Sequence, residues 1–171
     1  MRASTAALGS AAFFVVAPGT FVGLGPWLIT RWEIPESSPP LRVVLGVVFI
    51  VVGLIPPVHA FIQFAKAGGT PMPVAPTERL VITGFNRFVR NPMYVGLLTA
   101  ILGQALLFDN PWLVLYAVIG WIATASFVHW YEEPTLVRTY GAQYEEYRRN
   151  VPAWTPRLRP WKPGATTATS T

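Results

Sequence analysis

Two groups of polar residues stand out in this chain. Arg87, Arg90 and Asn91 come just before Pro92 and Tyr94. Glu132 and Glu133 are adjacent, preceded by His129 and Trp130. Neighbouring carboxylates disfavour each other's ionisation, so a cationic partner has to compensate them. Arg87, Arg90 or a bound cationic ligand would serve. His59 follows Pro56-Pro57 inside an apolar stretch. An ionisable group in such a place is a candidate for a role on a substrate path. A neutral imidazole bonded to a carbonyl freed by the prolines explains it as well. His59 and His129 alone make no convincing metal site, so none is expected.

These residues must be positioned by membrane helices. Of 171 residues, 52% are hydrophobic and 12% charged. An ordinary soluble domain is about a quarter charged. That composition disfavours a soluble globular enzyme and a disordered chain alike. There is no cysteine, which excludes disulfides, thiolate metal sites and a cysteine nucleophile. The apolar residues fall into four blocks free of Asp, Glu, Lys and Arg: 3–29, 43–65, 93–108 and 111–131. A bilayer core of about 30 Å takes roughly 20 helical residues. The third block is shorter, about 24 Å as a helix. It pairs with the fourth as a hairpin turned by Asp109-Asn110-Pro111, where Asp and Asn favour the turn and Pro opens the next helix. The first block has a basic residue before it, as a signal peptide does. It runs on through Phe21, Trp27 and Ile29, well beyond the about 7–15 residues of a signal's apolar region, so a span is the better reading.

The fold class expected is all-α, a polytopic membrane protein with about four spans (6–29, 43–65, 93–108, 111–131) in one domain over 1–162. Basic residues set its orientation. Arg31 and Arg42 lie on one side. Arg2, Lys66, Arg79, Arg87, Arg90, Arg138, Arg148, Arg149, Arg157, Arg159 and Lys162 lie on the other. The positive-inside rule therefore puts both termini in the cytoplasm. The net charge of +5 reports that orientation and not nucleic-acid binding. The polar cluster then sits at the cytoplasmic membrane edge. Interfacial anchoring accounts for Arg149, Arg157 and Trp161. It does not account for Glu132-Glu133, because carboxylates gain nothing beside an anionic leaflet.

The linker 66–92 is rich in Gly and Pro, and a loop of that length is often functional. Residues 132–151 read as a cytosolic amphipathic helix. Leu136, Tyr140, Tyr144, Tyr147 and Val151 form one stripe, and Glu145 can pair with Arg149. Gly96 and Gly103 are seven apart on the third span. They suit close packing against the fourth span, or room for a ligand. The tail 163–171 reads as disordered.

Arg90-Asn91-Pro92-Met93-Tyr94-x-Gly96, then Gly103, Glu132-Glu133-x-x-Leu136 and Tyr140-Gly141-x-x-Tyr144-x-x-Tyr147 resemble the integral-membrane methyltransferases. These are the isoprenylcysteine carboxyl methyltransferases and the related phospholipid methyltransferases. Val151-Pro152-x-Trp154-x-Pro156-Arg157 is similar to their closing segment. The resemblance covers about 66–159. It implies S-adenosylmethionine as cofactor, bound in the C-terminal half. It also implies a lipophilic or prenylated acceptor in the bilayer. Gly68-Gly69-Thr70 is an approximate counterpart of a glycine element in the phospholipid branch. Asn91 stands where the prenylcysteine branch commonly has His, which leaves the acceptor open.

The residues implied for the cofactor are Arg87, Arg90, Asn91, Pro92, Tyr94, Gly96, Glu132, Glu133, Leu136, Tyr140 and Tyr144. Arg90, Glu132 and Glu133 are the ones implied for catalysis. Arg90 or Arg87 would hold the cofactor carboxylate by a forked pair of bonds. Glu132 or Glu133 would take its ammonium or ribose hydroxyls. Tyr94, Tyr140 or Tyr144 would face the sulfonium or the adenine. With an amine acceptor, Glu132, Glu133 or His129 would be the base. Two other readings compete: a membrane reductase using NADPH, and a non-catalytic scaffold. Heat protection by one cofactor or the other separates the first. Silent Glu132→Gln and Glu133→Gln variants would mark the second. Oligomeric state is not legible.

Overall fold

The computed structural model describes residues 16–66, 80 and 82–162. Among them every regular element is helical. In order these are α1 (Val16–Thr30), α2 (Pro40–Lys66), α3 (Pro92–Leu107), α4 (Pro111–Phe127), α5 (Glu133–Tyr140) and α6 (Ala142–Asn150). A π turn at Val128–Glu132 joins α4 to α5, so one helical run extends over Pro111–Tyr140. The described residues group into two compact units: 16–66 with 93–125, and 80–92 with 126–162.

In the first unit, α2 and α3 pack backbone to backbone. A Cβ added at Gly53 would lie 2.6 Å from both Ala100 N and Gly96 O. One at Gly103 would lie 2.7 Å from Gly46 O and Ile50 N. Gly46 and Gly53 repeat at seven residues, as do Gly96 and Gly103. Both helices thus lack side chains at matching intervals, and the axes approach closely. This corrects the partner expected for Gly96 and Gly103, which is the second span and not the fourth. Beside this contact, Ile101, Ala105, Leu113 and Ala117 form the buried core, with Phe21, Val22 and Tyr116 against it.

α1 contains a π turn at Thr20–Leu24. Two carbonyls in that turn take side-chain donors: Gln104 Nε2 donates to Val22 O (2.8 Å) and Tyr116 Oη to Phe21 O (3.0 Å). Gln104 is buried, and this bond satisfies its amide nitrogen. The hairpin turn forms as the sequence predicts. Asp109 takes the left-handed conformation (φ 50°), and Asn110 Oδ1 accepts from Trp112 N. Arg42 at the start of α2 reaches Asp109 at 2.7 Å.

Apolar side chains are turned outward on a large scale. On α2, Val44, Val48, Val51, Val52, Ile55 and Val58 are exposed, while Gly46, Gly53 and Pro57 are buried. Trp112 and Trp130 are exposed further along the chain. Water does not tolerate contiguous apolar faces of this extent, whereas a bilayer does. α2 and the run Pro111–Tyr140 are long and apolar enough to cross a membrane. α1, with 15 described residues, and α3, with 16, are shorter apolar helices. Two of the four expected spans therefore meet the length requirement among the described residues. Residues 6–15 of the first lie outside them, as do Gly68-Gly69-Thr70 and the tail 163–171.

The second unit is organised by main-chain bonds between its two segments. Arg90 N donates to Pro152 O (2.9 Å) and Asn91 N to Ala153 O (3.3 Å). In return, Arg157 N donates to Phe88 O (2.9 Å) and Trp161 N to Arg87 O (2.8 Å). Tyr144, Tyr147, Val151 and Trp161 make its buried core, with Leu136, Val137 and Tyr140 against them. The single helix expected over 132–151 is instead two. Gly141 has φ 54° and ψ −127°, a conformation in effect reserved for glycine, and the helix breaks there. All five residues of the aromatic stripe still reach one core. Arg148, not Arg149, pairs with the Glu145 carboxylate (3.3 Å), because the i,i+3 neighbour is the one within reach.

Candidate functional site

The second unit brings Arg90, Glu133 and Tyr144 together. Arg90 sits on the short stretch between a 3₁₀ turn (Gly84–Arg87) and Pro92, which opens α3 at the position where a missing N–H costs nothing. Its backbone is fixed by Pro152 O. Its Nη1 donates to Glu133 Oε1 (2.5 Å) and to Tyr144 Oη (3.4 Å). The Arg90 and Glu133 side chains are 12% and 13% exposed, so the pair is largely removed from water. Arg90 Nε is buried and has no hydrogen-bond partner among the described residues. Arg148 approaches the second oxygen of Glu133 at 3.8 Å from a more exposed position.

Glu132 lies at the end of the π turn, just past the apolar stretch 111–131. Burial raises its pKa above the usual carboxylate range, and the neighbouring charge of Glu133 adds to this. Tyr144 is held more firmly neutral, first by burial and then by Glu133, against a smaller opposing effect of Arg90. Burial also pushes Tyr147 up, and its hydroxyl donates to Asn86 O at 2.7 Å. The site therefore sets the Arg90–Glu133 salt bridge beside a carboxyl group whose proton affinity is raised.

The other residues implied by the resemblance are placed differently. Arg87 Nε donates to Trp161 O (3.0 Å), and Asn91 Nδ2 to Ala153 O (3.1 Å). Both side chains thus fasten the C-terminal segment. Leu136 and Tyr140 pack on the aromatic core. Tyr94 and Gly96 belong to the first unit, where the missing side chain of Gly96 lets Gly53 O and Pro57 approach. Arg148 was not singled out from sequence. It lies four residues after Tyr144, on the same helix face, and that spacing is the signal that finds it.

Residues 41–143 match the phospholipid methyltransferase family. One similar relative is protein-S-isoprenylcysteine O-methyltransferase B of Arabidopsis thaliana, 34% identical over 80 residues. The match covers 46% of this chain and 40% of that relative. No solved structure is significantly similar. The matched stretch holds Arg90, Glu132, Glu133 and the helices that carry them. The chain belongs to the phospholipid methyltransferase family.

Proposed function

We propose that the protein is a multi-pass membrane enzyme that transfers a methyl group from S-adenosylmethionine to a lipophilic acceptor at the cytoplasmic face. In this reading the chain crosses the bilayer four times with both termini inside, and α5 and α6 are amphipathic helices in the cytosol. The observation that carries the proposal is the Arg90–Glu133–Tyr144 contact with Glu132 beside it. S-adenosylmethionine pairs a carboxylate with an ammonium and a sulfonium, and this donor set suits such a ligand. Two guanidiniums, Arg90 and Arg148, match a carboxylate, and the unpartnered Arg90 Nε supports a role in holding one. Glu132 and Glu133 match the cationic groups. When bound, the cofactor supplies an electrophilic methyl carbon on a sulfonium.

Transfer would be an in-line displacement in which the acceptor atom bonds to the methyl carbon and the electron pair of the broken carbon–sulfur bond stays on sulfur. An ionised carboxylate acceptor needs no base. The residues then contribute by orienting the reactants and excluding water. An amine acceptor must first lose a proton. Glu132 is the carboxylate suited to take it, because its raised proton affinity brings it closer to the operating pH. The curated relative named above is a prenylcysteine O-methyltransferase, which favours the carboxylate case.

The test is titration calorimetry of purified protein with S-adenosylmethionine, followed by radiolabelled methyl transfer to a prenylcysteine acid and to phosphatidylethanolamine. Binding is expected in the wild type. It is expected to fall at least tenfold in Arg90→Ala and Glu133→Gln, with helical content retained. A folded wild type that binds no cofactor overturns the proposal.

A further inference from the structure

The last described residues of the second unit hold a short arc of chain outward. Its ends are fixed, because Arg157 N donates to Phe88 O and Trp161 N to Arg87 O. The two side chains are engaged as well. Arg157 Nη1 donates to Asn150 O (2.7 Å), and Trp161 is buried in the aromatic core. Interfacial anchoring therefore does not account for these two residues, which fasten the segment instead. Between them Leu158, Arg159 and Pro160 are exposed, and so is Lys162 just beyond. Leu158 is 99% exposed.

A lone apolar side chain at a surface needs no explanation by itself. Leu158 differs in three respects. The main-chain bonds on either side keep it from turning back onto the core. It stands among cations: from Tyr147 to Thr171 the sequence has Arg148, Arg149, Arg157, Arg159 and Lys162 and no Asp or Glu. The unit that carries it is also tethered to a bilayer by the chain. Its second segment begins at residue 126, inside the helical run Pro111–Tyr140 that is long and apolar enough to cross a membrane. Trp130 and Tyr131 are exposed at that entry, as aromatic side chains at the headgroup level are.

An acidic protein would satisfy the cations but gives no reason for a fully exposed leucine among them. A neutral bilayer would take the leucine but offers the cations nothing. An anionic phospholipid surface meets both. Lys and Arg gain near its negative headgroups, and Leu158 gains by leaving water for the acyl chains. The arc is already ordered, so docking costs little further entropy. The tether raises the effective concentration of the surface it meets.

We propose that Leu158, Arg159 and Lys162 form a docking point for anionic phospholipid, with Leu158 inserted below the headgroups. The inference goes beyond the methyl-transfer reading and does not require it. The chain has no cysteine, so Leu158→Cys can carry a single NBD fluorophore, one apolar group in place of another. The full chain is placed in phosphatidylcholine nanodiscs with or without one third phosphatidylglycerol. With the anionic lipid, NBD emission is expected to move to the blue and rise at least threefold. A doxyl group on the acyl chains is expected to quench it. Added NaCl should cut the gain at least twofold, because salt screens the attraction. Arg159→Glu with Lys162→Glu should abolish the gain. Both altered side chains are exposed, so the fold is retained, which circular dichroism checks. Equal emission in the two lipids points to an acidic protein instead and overturns the inference. A gain that survives the charge reversal, or one that acyl-chain doxyl does not quench, overturns it as well.

Discussion

Arg90 and Glu133 depend on each other. Each is nearly buried, and removing one leaves the other charge with too little compensation. Arg90→Ala is expected to destabilise the protein by about 3 kcal/mol. The double change Arg90→Met with Glu133→Leu should cost less, since no orphaned charge remains. Chemical unfolding in detergent compares the two. Glu132 behaves in the opposite sense. Its proton is held more tightly in the folded protein than in the unfolded chain. Ionised Glu132 therefore costs stability at neutral pH. That cost fades as pH falls through the raised folded pKa towards the ordinary carboxylate range. Glu132→Gln should melt higher than wild type at neutral pH, with the gap closing on acidification; melting scans across pH read this. The sequence made both carboxylates visible and left open which arginine they meet. The choice fell to Arg90 because Arg87 is turned towards Trp161, seventy-four residues on, a contact no local pattern encodes.

The helices show why some contacts were legible and others not. The hairpin turn was readable because Asp109, Asn110 and Pro111 each carry a local preference that acts within a few residues. The break at Gly141 was hidden, since the aromatic stripe continues across it and one glycine does not by itself end a helix. The partner of Gly96 and Gly103 was also hidden. Their spacing announces a close approach, but only the matching pair Gly46 and Gly53 says to which helix. Gly96→Val should therefore separate α2 from α3, lowering stability by at least about 1–3 kcal/mol. Gly19→Ala, facing open space, should be neutral or stabilising. Parallel melting curves of the two variants distinguish packing glycines from exposed ones.

At the scale of the molecule, composition and the outward apolar faces agree on membrane association. The number of crossings is a further question that labelling can answer. The chain has no cysteine, so single cysteines can be placed without background. Cysteines at positions 37 and 110 should react with an impermeant maleimide from outside intact cells. One at position 159 should react only after the membrane is opened. Reversal of that pattern would overturn the orientation drawn from the basic residues.

The four main-chain bonds that join residues 87–91 to 152–161 have a practical consequence. Those last residues lie past the final helix and bear none of the catalytic candidates. They are a clasp. Trimming the chain back to Asn150 would leave every implied catalytic side chain in place and still release the backbone that aims Arg90. Anyone shortening this protein for expression should stop after Trp161.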